Sequence, residues 1–217
     1  YFKTEDELRL FTNQFYNNLV PSAVDIYSES SDLIVKSDLM LEMSGQRIIP
    51  DEGNGWNFTA LRDINFYLQY SHNCTEVNAR NRYDGVARFF RAYFYFEKVK
   101  RYGDIPWYDK ALDSDDPELY KARDSREFVM QKMLEDLDFA IANLPKTKNA
   151  YVLTRWTALA LKSRVCLFEG TFRKYHGLED YEKYLNACVS ASETFMNESG
   201  YTLYKSGSTP YRDLFAS

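Results

Sequence analysis

The segment FFRAYFYF, residues 89–96, places six aromatic side chains in eight consecutive positions. The apolar spacing around it is helical and predicts one long helix from about Asn78 to Tyr102. The rings point in most directions around such a helix, and a helix that is apolar on several faces is buried by neighbours on several sides. We therefore interpret these rings as the core of a helical fold, in preference to a ladder that stacks on a ligand.

A clear stop signal follows this helix. Gly103 suits a left-handed cap, and Pro106 prevents the helix from resuming. Arg88, Arg91 and Asp104 are expected to pair with one another or to cap carbonyl groups, which is a role in folding rather than in binding. The next two aromatic residues, 107 and 108, either pack against the neighbouring helix or form a partner-facing patch, and burial is the simpler interpretation.

The rest of the chain keeps the helical period, and its 9 glycines and 6 prolines are few for a β-rich protein. Capping boxes are predicted at Thr4 with Glu7 and at Asp124 with Glu127. Further helices are expected at about 4–19, from about Trp56 to Tyr70, at 124–144, from near Thr154 to an end marked by Gly170 and Gly177, and at 178–197.

These helices group into two consecutive pairs, at about 84–144 and 154–198. Small alanine and serine residues on the last two helices allow their backbones to approach closely. The pattern predicts an all-α, tetratricopeptide-like stack with long loops, in a single domain over 1–217. Exact 34-residue repeats are absent, because the acidic connector LDSDDPELYKARDS (112–125) is too long.

Composition excludes several classes of function. A net charge of −5 argues against nucleic acid as a partner, since phosphate binding needs a basic field. The three cysteines lack metal-site spacing, and Cys166 and Cys188 are expected to be free thiols or a disulfide across the last helix pair. The acidic DSDD (113–116) lacks the glycine and terminal glutamate of a calcium loop, so a solvated turn is expected. No catalytic or cofactor motif stands out, and we predict no enzyme activity, cofactor or metal.

The loop from 44 to 55, with the residues just after it, is the place where we expect a ligand. It offers amides, an arginine fork and an indole, which suit the hydroxyls and the apolar face of a sugar. The candidate glycan-binding residues are Arg47, Asn54, Trp56 and Asn57, with Gln46 beside them. Trp56 is alternatively a core residue of the following helix, and Asn54 alternatively supplies only a turn conformation.

The segment GVARFFRAYFYFEKVKRYGDIPWY (85–108) resembles the signature helix and turn of the SusD/RagB family of bacterial surface glycan-binding lipoproteins. Further segments resemble that family in the expected order: 4–16, 56–68, 125–145 and 153–177. One departure is Tyr151-Val152, where the family usually has Gly-Arg. The matching residues are Ala87, Arg88, Phe89, Arg91, Ala92, Tyr93, Tyr95, Phe96, Tyr102, Gly103, Asp104 and Pro106.

The resemblance implies a non-catalytic protein on the outer face of the outer membrane, held there by an N-terminal lipid anchor that precedes this chain. Such proteins pair with a TonB-dependent, SusC-like transporter and deliver oligosaccharides to it. The resemblance also implies that this chain is the N-terminal helical part and that the family's C-terminal half is missing. The main alternative is a helical-repeat scaffold that grips a protein and has no sugar site of its own. An α/α-toroid glycosidase fragment is a second alternative.

Overall fold

A computed structural model of the chain describes residues 1–21, 41–48 and 55–216. Within these ranges the chain is all-α, as predicted. The β-type pairing in the described ranges is a single isolated bridge between Ile105 and Asp124. No helix in the described ranges is long and apolar enough to cross a membrane. The helices are α1 Glu5–Leu19, α2 Leu41–Ser44, α3 Thr59–Tyr70, α4 Val77–Tyr102, α5 Arg126–Asn143, α6 Arg155–Tyr175, α7 Tyr181–Glu198 and α8 Pro210–Ala216.

Helix α4 runs through the middle of a helical stack. Helices α1 and α3 pack against it, α5 packs against it from another side, and α6 and α7 continue the stack beyond α5. The interpretation of residues 89–96 as core is confirmed, since only Tyr93 among the six rings is half-buried. The buried rings are Phe89, Phe90, Phe94, Tyr95 and Phe96. Neighbours on several sides are what this distribution of rings requires.

Polar side chains in the middle of α4 and just after it have partners other than those predicted. Arg88 and Arg91 do not pair with Asp104; both reach the carboxylate of Asp136 on α5. The Asp104 carboxylate instead accepts a hydrogen bond of 2.8 Å from the backbone N–H of Arg126, at the start of α5. An acidic side chain is favourable there because the first N–H groups of a helix lack partners within it.

Helix starts agree with the sequence at two places and differ at three others, one of which is α7, predicted from about 178 and observed from Tyr181. The predicted capping box of Thr4 is present, and Thr154 caps α6. Helix α5 is capped by Ser125, whose hydroxyl accepts from the N–H of residue 128, so the predicted cap at Asp124 is one residue early. Helix α3 begins three residues after Trp56, since the Asn57 side chain accepts a hydrogen bond of 2.8 Å from the N–H of Thr59.

Helices α6 and α7 form the most closely packed pair. The prediction that Gly170 marks the end of α6 is wrong. Gly170 lies buried inside the helix, where a Cβ atom would come within 2.6 Å of Leu185 on α7. Glycine is needed here for close helix approach, whereas Gly177, with a φ of +66°, follows the end of the helix. Cys166 and Cys188 are free, and burial raises the pKa of the Cys166 thiol to about 12.

Candidate functional site

The connector between α4 and α5, residues 103–125, folds into a closed loop. Its two ends are joined by a 3.1 Å hydrogen bond from the Ile105 N–H to the Asp124 carbonyl. The Asp124 carboxylate accepts a 2.7 Å bond from the N–H of Trp107 and pairs with Lys121 at 3.0 Å. The Lys121 ammonium also donates to the Trp107 carbonyl at 2.6 Å. These bonds give an irregular segment a fixed shape without regular secondary structure.

Helix α4 fixes the start of this connector through Tyr95. The Trp107 ring stacks on the Tyr95 ring, with centroids 4.2 Å apart. The Tyr95 hydroxyl accepts a 2.6 Å hydrogen bond from the Tyr108 N–H and donates to the Pro106 carbonyl at 3.2 Å. Desolvation raises the pKa of Tyr95, so the hydroxyl stays protonated and keeps both bonds. Trp107 and Tyr108 are buried, so burial is the interpretation that the structure supports.

A buried polar chain ties the connector to three helices. The Arg91 guanidinium of α4 binds both carboxylate oxygens of Asp136 on α5, at 2.6 and 2.7 Å. It also donates to the Asn65 side-chain oxygen on α3 at 3.3 Å. The Asn65 amide nitrogen then donates to the carbonyls of Tyr108 and Lys110, at 2.8 and 3.2 Å. Each buried polar group here has partners, which is the condition for such a network to stabilise a single arrangement.

Between this connector and the N-terminal end of α3 lies a pocket of about 600 Å³, which we call the connector pocket. Aromatic and aliphatic side chains form much of its wall, and charged groups reach it from α3 and from both halves of the connector. The lining residues are Trp56, Phe58, Thr59, Leu61, Arg62, Asn65, Pro106, Tyr108, Lys110, Leu112, Leu119, Lys121, Ala122 and Arg123. A concave site of this size with a few polar groups is typical of small-ligand binding.

Trp56 is the most exposed aromatic residue of this lining, at 38%. Its indole meets the rings of Phe58 and Tyr102 edge to face, with centroids 5.3 and 4.9 Å away. The Arg123 guanidinium lies over the indole, 4.8 Å from its centroid. Trp56 is therefore held in place by packing on other rings while more than a third of it remains open to a ligand.

Gly55 brings Trp56 close to the end of α4. Its φ of +87° is a conformation that favours glycine, and a Cβ atom there would lie 3.1 Å from the Arg101 guanidinium and 3.2 Å from the Tyr102 hydroxyl. The Lys98 ammonium donates a hydrogen bond to the Gly55 carbonyl. This turn and this bond together set the position of Trp56 against Tyr102.

The charges in the connector pocket are all of one sign among the residues that the structure describes. Four cationic side chains line it and no carboxylate does. Lys110 pairs with Asp116 and Glu118 outside the lining, at 3.2 and 3.1 Å. Arg62 uses its Nε to donate to the Leu112 carbonyl at 3.4 Å, and neither it nor Arg123 has a carboxylate partner within the described ranges. The pocket is thus a basic patch on a chain with a net charge of −5.

Comparison with known sequences assigns the chain to a family. The SusD-like family described as starch-binding and associating with the outer membrane matches residues 17–155. The chain belongs to this family. A SusD-like protein, P38, from Formosa agariphila is 26% identical over 134 residues, which are 62% of this chain and 24% of that relative. The chain therefore spans about a quarter of the length of that curated relative.

Solved structures share the fold. A SusD homologue from Bacteroides thetaiotaomicron superposes with a TM-score of 0.70 at 18% identity, over 94% of this chain and 42% of the homologue. A laminarin-binding SusD-like protein gives a TM-score of 0.56 at 18% identity, over 71% of this chain and 32% of that protein. Similarity at this level of identity shows that the helical stack is the SusD-like fold.

The structure does not bring the predicted site residues together. Trp56 lines the connector pocket, whereas its neighbour Asn57 lines a second pocket of about 600 Å³ between α1, α3 and α4. The Asn57 oxygen is already used at the start of α3. Gln46 and Arg47 are exposed, and Arg47 lines neither pocket. Asn54, together with the rest of 49–54, lies outside the described residues.

Sequence reasoning missed the cationic side chains of the connector pocket. Lys110, Lys121 and Arg123 lie near or within a segment that reads as an acidic, solvated turn. The signal was present in a weak form, because Lys121 and Arg123 follow the first four acids of that segment. Asp116, read as part of the turn, caps the 3₁₀ turn Pro117–Tyr120 and pairs with Lys110. Lys110 and Lys121 are paired with Asp116, Glu118 and Asp124, whereas Arg123 has no carboxylate partner among the described residues.

Proposed function

We propose that this chain binds an oligosaccharide at the cell surface and does not act on it chemically. The observation that carries the proposal is the connector pocket with the half-open Trp56 at its rim, in a family described as starch-binding. One related structure was solved with a xylogluco-oligosaccharide and another is of a laminarin-binding protein. Both support a carbohydrate as the class of ligand.

The physical basis is the match between an indole and a sugar ring. One face of a pyranose is a patch of C–H groups, and an aromatic ring offers a flat apolar surface of similar size. Trp56 is held by Phe58 and Tyr102 before the ligand arrives, so little side-chain entropy is lost on binding. The surrounding lysine and arginine side chains are donors for the hydroxyl groups of the ligand.

Replacing Trp56 tests the site. We expect Trp56→Ala to weaken binding by about tenfold or more, which corresponds to about 1.4 kcal/mol. Isothermal titration calorimetry with a panel of neutral and acidic oligosaccharides measures the effect. The matched control is Tyr120→Ala, since Tyr120 is 86% exposed on the same connector and lines no described pocket. An unchanged affinity in a folded Trp56→Ala variant would place the sugar elsewhere and refute the connector pocket as its site.

We also propose that the protein works at the outer membrane, lipid-anchored and paired with a TonB-dependent, SusC-like transporter that takes up the bound glycan. The family description, association with the outer membrane, supports this location. Co-purification of the chain with the transporter, expressed together in the native membrane, tests the partnership. Capture of the transporter by a chain that binds no saccharide would favour the alternative of a protein-binding scaffold.

The absence of catalysis has its own test. The second pocket is lined by two carboxylates, Asp63 and Glu97, which is the residue type that a glycosidase uses. We expect no release of reducing ends from any oligosaccharide that binds. Release that is lost in both Asp63→Asn and Glu97→Gln would overturn the proposal and establish an enzyme.

A further inference from the structure

Resting on the proposed glycan binding, we infer that the connector pocket takes an acidic oligosaccharide: an anionic group on the sugar, a carboxylate or a sulfate ester, binds Arg62 and Arg123 while a sugar ring lies on Trp56. The shared chemistry is an oxyanion with two or three acceptor oxygens. An arginine fork matches such a group with two parallel hydrogen bonds. Neutral glucans lack it.

The charged side chains that line the pocket are all of one sign. Among the described residues of its lining there are four cations and no acid, although acidic residues outnumber basic ones in the chain, 32 to 27. A site for neutral sugars more simply mixes carboxylates and amides, because hydroxyl groups both donate and accept hydrogen bonds. The charged side chains of this lining are all donors, and such groups favour a ligand that is rich in acceptors.

Two of the four cations in the pocket lining still lack a carboxylate partner. Lys121 is paired with Asp124, and Lys110 is paired with two acids of the connector. Arg62 and Arg123 have no ion pair with any described residue. Two arginines that line one pocket without a carboxylate partner are available to pair with an anionic ligand.

The guanidinium of Arg123 lies over the indole of Trp56. A neutral sugar that stacks on this indole competes with the guanidinium for the ring and offers the cation only hydroxyl groups in return. An acidic sugar can draw Arg123 to its own anionic group and form an ion pair as the ring becomes covered. Displacement of Arg123 from the indole therefore favours an acidic ligand over a neutral one.

The test compares saccharides that differ only in charge, titrated into the full chain by calorimetry. One pair is a hexamer of galacturonate and its fully methyl-esterified form; the other is a sulfated galactan oligosaccharide and its desulfated form. We expect one of the two acidic probes to bind at least about tenfold more tightly than its neutral twin, and to bind more weakly as salt rises from about 0.05 to 0.5 M. Which pair responds identifies carboxylate or sulfate as the anionic group.

Charge-removing variants assign the effect to the pocket. Arg123→Gln and Arg62→Gln should reduce acidic binding toward that of the neutral twin. Arg212 is an exposed arginine on α8 that lines no described pocket. Arg212→Gln removes the same charge and should leave binding of the acidic saccharide unchanged. Arg123→Gln decides the matter if Arg62→Gln disturbs the fold, because Arg123 is an exposed side chain that lies over the ring of Trp56.

Two failures are distinguishable. If neutral oligosaccharides bind through Trp56 as tightly as acidic ones, or if Arg123→Gln has no effect, the inference is wrong and the proposed glycan binding stands. If no saccharide of either class binds, the proposed function itself fails, and this inference with it.

Discussion

The two hairpins of the stack, α4 with α5 and α6 with α7, share one architecture but differ in what joins their helices. The first is joined by the folded connector 103–125, and the second by the short turn 176–180. The connector pocket is built on the long connection, and the short turn lines no described pocket. In this chain the helices supply a rigid frame, and the length and internal bonding of a connection decide whether a ligand site can form on it.

The interfaces of the two hairpins differ as well. Large rings and the buried pair of Arg91 and Asp136 hold α4 against α5. Glycine and small polar residues hold α6 against α7, including a 2.8 Å contact between the hydroxyls of Ser163 and Ser192. The first interface extends polar groups outward to the connector, whereas the second is suited to close packing. The following predictions test that difference.

The largest effect is expected from Asp136→Ala, which leaves the buried Arg91 without its carboxylate. Breaking a buried pair in this way should lower the free energy of unfolding by about 3–5 kcal/mol. Urea denaturation measures it. The matched control in the second hairpin is Lys183→Ala, whose ammonium is exposed and 3.7 Å from Glu127; its effect should be within about 0.5 kcal/mol. Equal effects would show that the Arg91–Asp136 pair has no special role.

A pair of glycine substitutions separates the two interfaces. Gly170→Ala places a Cβ atom 2.6 Å from the Leu185 side chain and 3.2 Å from its backbone nitrogen, and we expect a loss of about 1–3 kcal/mol. Gly85→Ala, between α4 and α5, meets Leu144 only at 3.4 Å and should gain about 0.5–1 kcal/mol from helix propensity. Thermal unfolding of both variants measures the contrast. Tolerance of alanine at 170 would contradict close packing as the basis of the second interface.

A smaller loss of stability than at Asp136 is expected in the connector. Asp124→Ala removes the acceptor of the Trp107 N–H and the partner of Lys121, and should cost about 1–2 kcal/mol. Because this carboxylate holds the connector closed, its loss should also change the shape of the pocket. We therefore expect glycan affinity to fall even where the variant is fully folded. Calorimetry at a temperature where the variant is folded measures it, with the exposed Asp115→Asn as control. An unaltered affinity would mean that the connector does not shape the site.

The class of fold follows from the amino-acid sequence alone. Periodic apolar residues, the capping box at Thr4 and the cap at Thr154 are local signals, and local hydrogen bonds and burial of one helix face decide them. The aromatic segment 89–96 is predicted to be core for a different reason, since its rings point to several faces of the helix. The family resemblance was also present in the order of its motifs, and the match over 17–155 bears it out.

The position of the connector pocket and the set of residues that line it follow from long-range contacts. Asn65, Arg91 and Asp136 are far apart along the chain, and their roles follow from contacts that no periodic pattern encodes. Trp56 and Asn57 are adjacent in sequence but line different pockets. Local spacing specifies helices because their bonds are local, whereas a site on a connector is specified by long-range bonds that form only when the helices have packed.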